Sequence, residues 1–394
     1  MPPTVTDFEQ QLLGQINAIR EQNLFRQMRR VDSAQRAHVQ SDGRELLNFS
    51  SNDYLGLADH AALKDAACRA VDRFGAGSGA SRLICGSLAV HHALEEKLAA
   101  FKGTQAALAF SSGYAAAVGA LGALLGKDDV LIIDKLVHAS IVDGARLCGA
   151  KLRVFAHNDL NELEDILKWA RGRPGRKMIA TESVFSMDGD LAPLREIIEL
   201  KDRHGAWLML DEAHATGLFG QNRRGLAEAF ELGDRVEISM GTLGKALGSA
   251  GGFICGSRAL VDVLVNRARS FIFSTAPPPA QSAAASAALE LLQSQEGEDR
   301  RAQLWARVDQ VKNGLVRSQW KTAILKSAIV PLVVGDETRA VQMAAVLREA
   351  GLLLPAIRYP TVARGEARLR LTVTASHTPE DVATAIDHLT RLAV

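Results

Sequence analysis

Cysteine is scarce in this chain. Four occur in 394 residues, at Cys68, Cys85, Cys148 and Cys255, with no C-x-x-C pair and no tight cluster. That spacing argues against a metal or disulfide framework, so free, buried thiols are the expectation. Aromatic residues are also few, at 5%, and an excess of one charge is missing: 46 Lys and Arg against 45 Asp and Glu leave +1. A nucleic-acid binder carries a basic excess and a disordered tail an acidic one, and neither is seen. No apolar run is long and uninterrupted enough to span a bilayer. The first stretch, MPPTVTDFEQQLLGQ, has acids and glutamines where a secretory leader needs a basic start and an apolar run. A cytoplasmic setting is therefore expected, with neither membrane nor nucleic acid as partner.

What is present is 47% hydrophobic content, enough for a sizeable core, in a chain longer than one typical domain. The first segment, Phe8 to Arg36, reads as helix followed by a basic stretch that holds Arg26, Arg29 and Arg30. A short strand is expected at Leu46 to Ser50. Helical patterns and short apolar runs then alternate. Ala106–Phe110, Val130–Asp134, Lys151–Ala156, Met178–Glu182 and Trp207–Asp211 read as strands between amphipathic helices. This order predicts an α/β fold, with a mostly parallel sheet covered on both faces and ligands bound beyond the carboxyl ends of its strands. After about residue 290 a charged helix, further strands and a helix from Pro379 read as a smaller α+β domain. The expected organisation is 1–55 as an N-terminal helix and strand segment, 56–290 as the large domain and 291–394 as the small one.

Several motifs fail on their context. The glycine-rich Gly75-Ala76-Gly77-Ser78-Gly79-Ala80-Ser81 follows a helix, whereas a dinucleotide fingerprint must follow a strand and open a helix. Asp211-Glu212-Ala213-His214 matches a helicase box, but no G-x-x-x-x-G-K-[ST] lies upstream. His91-His92 with Glu95 and Glu96 does not form H-E-x-x-H, and a solvated helix face is the plainer reading.

One constellation has members that complement one another. Lys245 sits among glycines and hydroxyl residues in Ser239-Met240-Gly241-Thr242-Leu243-Gly244-Lys245-Ala246-Leu247-Gly248, and an amine kept neutral there could form a Schiff base. Asp211, at the end of an apolar strand, could cap a helix or face a pyridinium nitrogen. Ser111-Ser112-Gly113-Tyr114 follows a strand and opens a helix, an arrangement suited to a phosphate. Together these groups match the aldehyde, ring nitrogen and phosphate of pyridoxal phosphate.

In ordered stretches along its whole length the chain resembles the α-oxoamine synthases, fold type I pyridoxal-phosphate enzymes. The stretches include NFSSNDYLGL, SRLICGSLAVHHALEEKLAAFKG, SSGYAA, DKLVHASIVDGARL, TESVFSMDGDLAPL, DEAHATGLFG, GTLGKALGSAGG, FSTAPPP and RLRLTVTASH. The resemblance implies that Lys245 carries the cofactor and acts as base, with His138 and His214 beside it in catalysis. It implies that Asp211 pairs with the ring nitrogen, His214 and Ser186 lie at the ring hydroxyl, and His138 stacks on the ring. Gly113, Tyr114 and Thr242 would hold the phosphate, with Ser274 or Thr275 arriving from a second subunit of a homodimer. Arg370 and Asn52 would face the amino-acid substrate and Arg26 the acyl group, a role for which Arg29 and Arg30 compete. For Arg370 alone, a sheet-surface charge between Leu369 and Leu371 is the plainer alternative.

Within the family, DEAHATG, GSAGG and Ile357-Arg358-Tyr359-Pro360-Thr361-Val362 look most like the members that join L-alanine to a pimeloyl thioester in biotin synthesis. The thioester could ride on coenzyme A or on an acyl carrier protein. Glycine C-acetyltransferase is the alternative enzyme. A non-catalytic pyridoxal-phosphate sensor is the alternative from another class, but the N-terminal segment offers little room for the DNA-binding module it would need.

Overall fold

The computed structural model describes residues 6–316, 318, 320 and 325–392. Residues 1–5, part of the N-terminal stretch discussed above, lie outside the described residues. Thirteen strands occur in this region: β1 (His38–Ser41), β2 (Arg44–Asn48), β3 (Ala106–Phe110), β4 (Val130–Asp134), β5 (Lys151–Phe155), β6 (Lys177–Glu182), β7 (Trp207–Asp211), β8 (Ile238–Thr242), β9 (Gly252–Gly256), β10 (Ile329–Gly335), β11 (Leu352–Leu353), β12 (Ala356–Ile357) and β13 (Ala367–Thr372).

Seven of them form the central sheet in the order β3-β9-β8-β7-β6-β4-β5. The pairs from β8 through β5 are parallel, and β9 runs antiparallel to both of its neighbours. Strands β3, β4, β7 and β9 bury nearly every residue, as a sheet sandwiched between helices requires. Alternate side chains enter opposite layers. Val130 and Ile132 of β4 join one apolar cluster, while Leu131 and Ile133 join the other. The expected mostly parallel α/β sheet is thus observed.

Two features were not foreseen. The run that forms β8 and β9 is rich in Gly, Ser and Thr and shows neither alternation nor a β-branched cluster. It is strand because the gap between β3 and β7 must be filled on both sides. Strands β1 and β2 form a three-stranded sheet with β11, in which Leu47 and Asn48 at the end of β2 pair with Leu352 and Leu353. A third sheet, β10-β13-β12, carries Arg370. Its core residues Leu369 and Leu371 share an apolar cluster with Phe49, Tyr54 and Leu210. That shared packing brings the last strand over the carboxyl end of the central sheet.

The cysteines depart from expectation. All are free, but Cys68 and Cys85 are exposed, and only Cys148 and Cys255 are buried. The former pair lies on an amphipathic helix and a surface turn, where a small thiol has nothing to pack against. Among the described residues, no group of three or more His, Cys, Asp or Glu could hold a metal ion, and no helix is long and apolar enough to cross a membrane.

Candidate active site

The carboxyl ends of the parallel strands converge on one cavity of about 170 Å³. Strand β6 ends in Glu182 and β7 in Asp211, followed by Ala213 and His214. Strand β8 ends in Thr242, three residues before Lys245, and the segment after β4 delivers His138; all of these line the cavity. Gly113 and Tyr114 close it at the start of the helix Gly113–Leu124. Strands must end somewhere, and their ends put side chains and open amides at one rim, as expected for this fold class.

Lys245 Nζ lies 2.8 Å from His214 Nε2. Burial pushes the Lys245 amine down to about 8; Asp211 and Glu182 oppose that shift without cancelling it. His214 is buried and held well below the usual histidine range by desolvation, then by the neighbouring Lys245 and Arg370. Its other nitrogen, Nδ1, lies 2.5 Å from the Tyr54 hydroxyl. Desolvation raises that hydroxyl to about 12, so Tyr54 stays protonated. A neutral imidazole between an amine and a phenol can donate to one and accept from the other, and its tautomer then follows the charge on Lys245.

Asp211 Oδ1 accepts the Ala213 amide at 2.9 Å. Desolvation raises the Asp211 carboxyl, against the pull of Lys245. His138 caps the helix Ala139–Leu147: its Nδ1 accepts the Ser140 amide at 3.2 Å, which fixes the ring over the cavity. Burial, then Lys245, lowers the His138 pKa, favouring a neutral, flat ring.

At the phosphate end, Ser112 Oγ caps its helix by accepting the Ala115 amide at 3.0 Å. The first-turn amides of Gly113 and Tyr114 have no intrahelical acceptor and are free for an anion. Gly252 allows this turn to sit against β9, since a Cβ there would lie 2.5 Å from the Ser112 carbonyl oxygen and 2.6 Å from the Gly113 amide nitrogen. Thr242 Oγ1 donates to the Gly251 carbonyl at 2.8 Å and accepts from the Gly244 amide, which holds the turn leading to Lys245. The Tyr114 side chain points away, its hydroxyl donating to Asp143 at 2.8 Å.

Arg370 is buried, which overturns the surface-charge alternative: every residue of β13 is covered. Its Nε donates to the Ser186 carbonyl at 2.7 Å, and Nη1 donates to Asn52 Oδ1 at 3.1 Å and to Thr372 Oγ1 at 2.9 Å. Asn52, Ser186 and Arg370 are therefore brought together beside the cavity. Two predicted residues are not. Thr275 is exposed and pairs with Ser81 in an isolated bridge. Arg26 is exposed, with Nη2 donating to Thr361 Oγ1 at 3.3 Å and to the Tyr359 carbonyl at 3.4 Å. Arg29 is exposed, and Arg30 pairs with Asp32 at 2.5 Å. The solvated helix face expected for His91, His92, Glu95 and Glu96 holds only for His92 and Glu96: His91 and Glu95 are buried, because His91 Nε2 donates to the Pro277 carbonyl and Glu95 takes a two-pronged bond from Arg82.

The sequence reading missed Tyr54 and Glu182. Tyr54 stood inside NFSSNDYLGL, and Glu182 ended a foreseen strand, so a strand-terminal acid one register step from Asp211 was the available signal. The residues fit pyridoxal phosphate. An amine of lowered pKa, a buried carboxylate, a neutral ring and free amides surround one cavity, and the buried Glu182 Oε1 has no hydrogen-bond partner.

A family model described as aminotransferase class I and II matches residues 44–389. Curated relatives described as 8-amino-7-oxononanoate synthase include one from Geotalea daltonii, 49% identical over 372 residues, covering 94% of this chain and 95% of the relative. Another, from Geobacter sulfurreducens, is 48% identical over 381 residues, covering 97% of each. Among solved structures, a variant of serine palmitoyltransferase from S. paucimobilis with a bound PLP–myriocin aldimine matches with a TM-score of 0.91 at 28% identity, covering 99% of this chain and 98% of that one.

Proposed function

The chain belongs to the class I and II aminotransferase family, among its 8-amino-7-oxononanoate synthases, and from that premise we propose that it condenses L-alanine with a pimeloyl thioester. Carbon dioxide and free thiol leave, and the product, 8-amino-7-oxononanoate, serves biotin synthesis. The cofactor is pyridoxal phosphate. When bound, it supplies the electron sink that spreads the negative charge left on Cα.

The observation that carries this reading is Lys245: an amine with a lowered pKa, in hydrogen-bond reach of a neutral histidine and facing a buried carboxylate. An amine that loses its proton near neutrality can hold a carbonyl carbon and then take the Cα proton of alanine. Asp211 would meet the ring nitrogen and keep it protonated, and His138 would cover one face of the ring. His214, steered by Tyr54, orients the Lys245 amine, and Ser186 lies near the ring hydroxyl. Gly113 and Tyr114 would hold the phosphate through their backbone amides, and Thr242, whose hydroxyl fixes the turn to Lys245, would border it.

Arg370 offers a planar guanidinium to the alanine carboxylate, with Asn52 fixing its orientation. Arg26, beside Thr361, meets the acyl chain. The carrier of that chain, coenzyme A or an acyl carrier protein, is anionic in either case and suits the arginines at 26, 29 and 358. Thr275 serves the phosphate of a second copy in a homodimer. In support, Ile84 and Phe273 are 79% and 69% exposed on either side of the Ser81–Thr275 bridge, apolar surface that a monomer would leave wet. A cytoplasmic location completes the reading.

The test is thiol and carbon dioxide release by the cofactor-loaded protein, offered alanine or glycine with pimeloyl- or acetyl-coenzyme A. Turnover with alanine and the pimeloyl thioester is expected. Turnover confined to glycine and acetyl-coenzyme A would replace the substrate assignment with that of a glycine C-acetyltransferase.

A further inference from the structure

Two carboxylic acids, not one, end the parallel strands at the cavity. Glu182 of β6 and Asp211 of β7 are register partners, so their side chains leave adjacent strands on the same side, about 4.8 Å apart at the backbone. Glu182 is 2% exposed, lines the cavity and leaves Oε1 with no hydrogen-bond partner. Lys245 favours the charged form of both acids; Asp211 accepts the Ala213 amide at 2.9 Å, while Glu182, which the His138 and Ser186 amides also favour, keeps one oxygen unpartnered.

The groups around the pair cannot neutralise two negative charges. Lys245, from the segment after β8, faces both acids. His138, ahead of the helix Ala139–Leu147, and His214, after β7, are kept neutral by burial. Arg370, from β13, directs Nε and Nη1 at the Ser186 carbonyl, Asn52 and Thr372 rather than at either acid.

We propose that Glu182 is a positioning residue that stores a proton: its neutral carboxyl lets Asp211, alongside it, stay ionised, so that a single carboxylate faces the cofactor's ring nitrogen. The proton sits on the unpartnered oxygen, where the neutral acid presents a donor to the cavity. Burial first, then the neighbouring Asp211, raises Glu182 to about 8, which agrees with this assignment. Glu182 acts through Asp211. Ionised, it would place a second negative charge beside the cofactor and strengthen the ring nitrogen's hold on its proton. The inference rests on the cofactor assignment above but not on the identity of the amino-acid substrate.

Infrared spectroscopy of the holoenzyme tests it. The wild-type protein should show the carbonyl stretch of a protonated carboxylic acid at pH 7. The band should move when glutamate is labelled with ¹³C, stay put when aspartate is labelled, and bleach as the pH is raised and Glu182 ionises. It should be missing from Glu182→Gln. In the same variant, the pH titration of the cofactor's visible absorption should lose the step that accompanies the bleaching. No acid band at pH 7, a band that follows the aspartate label, or a cofactor titration unchanged in Glu182→Gln would each overturn the proposal. The labelling arm uses wild-type protein and so decides the matter even if the variant does not fold. Neither readout involves turnover, so an enzyme that used glycine would still show the band.

Discussion

Asp211 and Glu212 are neighbours in sequence, both acidic and both buried, but they belong to different regions. Glu212 points away from the cavity. Its Oε2 accepts from Lys102 Nζ at 2.9 Å and its Oε1 from the Ala227 amide at 3.0 Å; Lys102 also reaches Thr216 Oγ1 and the Arg224 carbonyl. Gly225 passes so close that a Cβ there would lie 2.4 Å from the Glu212 carboxylate. On that side the buried lysine and the buried acid are matched to each other and to backbone groups. On the Asp211 side, Lys245 has His214 as its hydrogen-bond partner and Glu182 Oε1 has none. Both regions contain a buried lysine beside a buried acid, so burial and charge alone do not mark a site. What marks it is incomplete partnering of the lysine and the acids, which leaves groups free to engage a ligand and shifts their proton affinities.

The most severe break of this contrast is Lys245→Ala. It should lower turnover by roughly 10⁴-fold, the upper range for losing a positioned acid–base group, in the thiol-release assay. Activity close to wild type would mean that the unsaturated side is not the site. Lys102→Met should do the converse. With Glu212 left charged and unpaired in the interior, urea unfolding should show a loss of about 3–5 kcal/mol, while turnover per folded molecule stays near wild type. A large fall in turnover without a loss of stability would erase the distinction between the two sides.

The next effect is one of pH. In the cofactor-free protein the rate of pyridoxal-phosphate capture should rise as pH climbs through about 8, because only the neutral amine attacks a carbonyl and burial has lowered Lys245 from the ordinary 10.5. A midpoint near the ordinary value would show that the cavity leaves the amine solvated. Arg370→Lys keeps the charge but loses the planar fork. A hydrogen bond to a charged group contributes about 1.5–3 kcal/mol, so KM for the amino acid should rise roughly 10- to 100-fold with a smaller change in kcat. The mildest change is Tyr54→Phe, which removes the hydroxyl 2.5 Å from His214. A net hydrogen bond contributes about 0.5–1.5 kcal/mol, so kcat should fall roughly 2- to 10-fold. No change in kcat would show that His214 orients Lys245 unaided.

Strands β3, β4 and β7 were legible in the sequence because each is a continuous apolar run bounded by turn residues, and the order of such runs forced a parallel sheet with its site at the carboxyl rim. Lys245, Asp211, His138 and His214 were legible because chemistry needs those residue types and the family motifs mark their places. β8 and β9 were not, since small residues buried on both faces show no periodicity. Glu182, Tyr54 and the burial of Arg370 were also hidden, because each depends on what a neighbouring strand or a distant segment supplies.

By itself, then, the sequence determined the fold class and singled out Lys245 and Asp211 as candidate site residues, all of which follow from local pattern and motif. Only the tertiary structure decided which buried charges are matched and which are not. Proton affinity depends on every group within a few ångströms, and those groups come from strands and loops far apart in the chain.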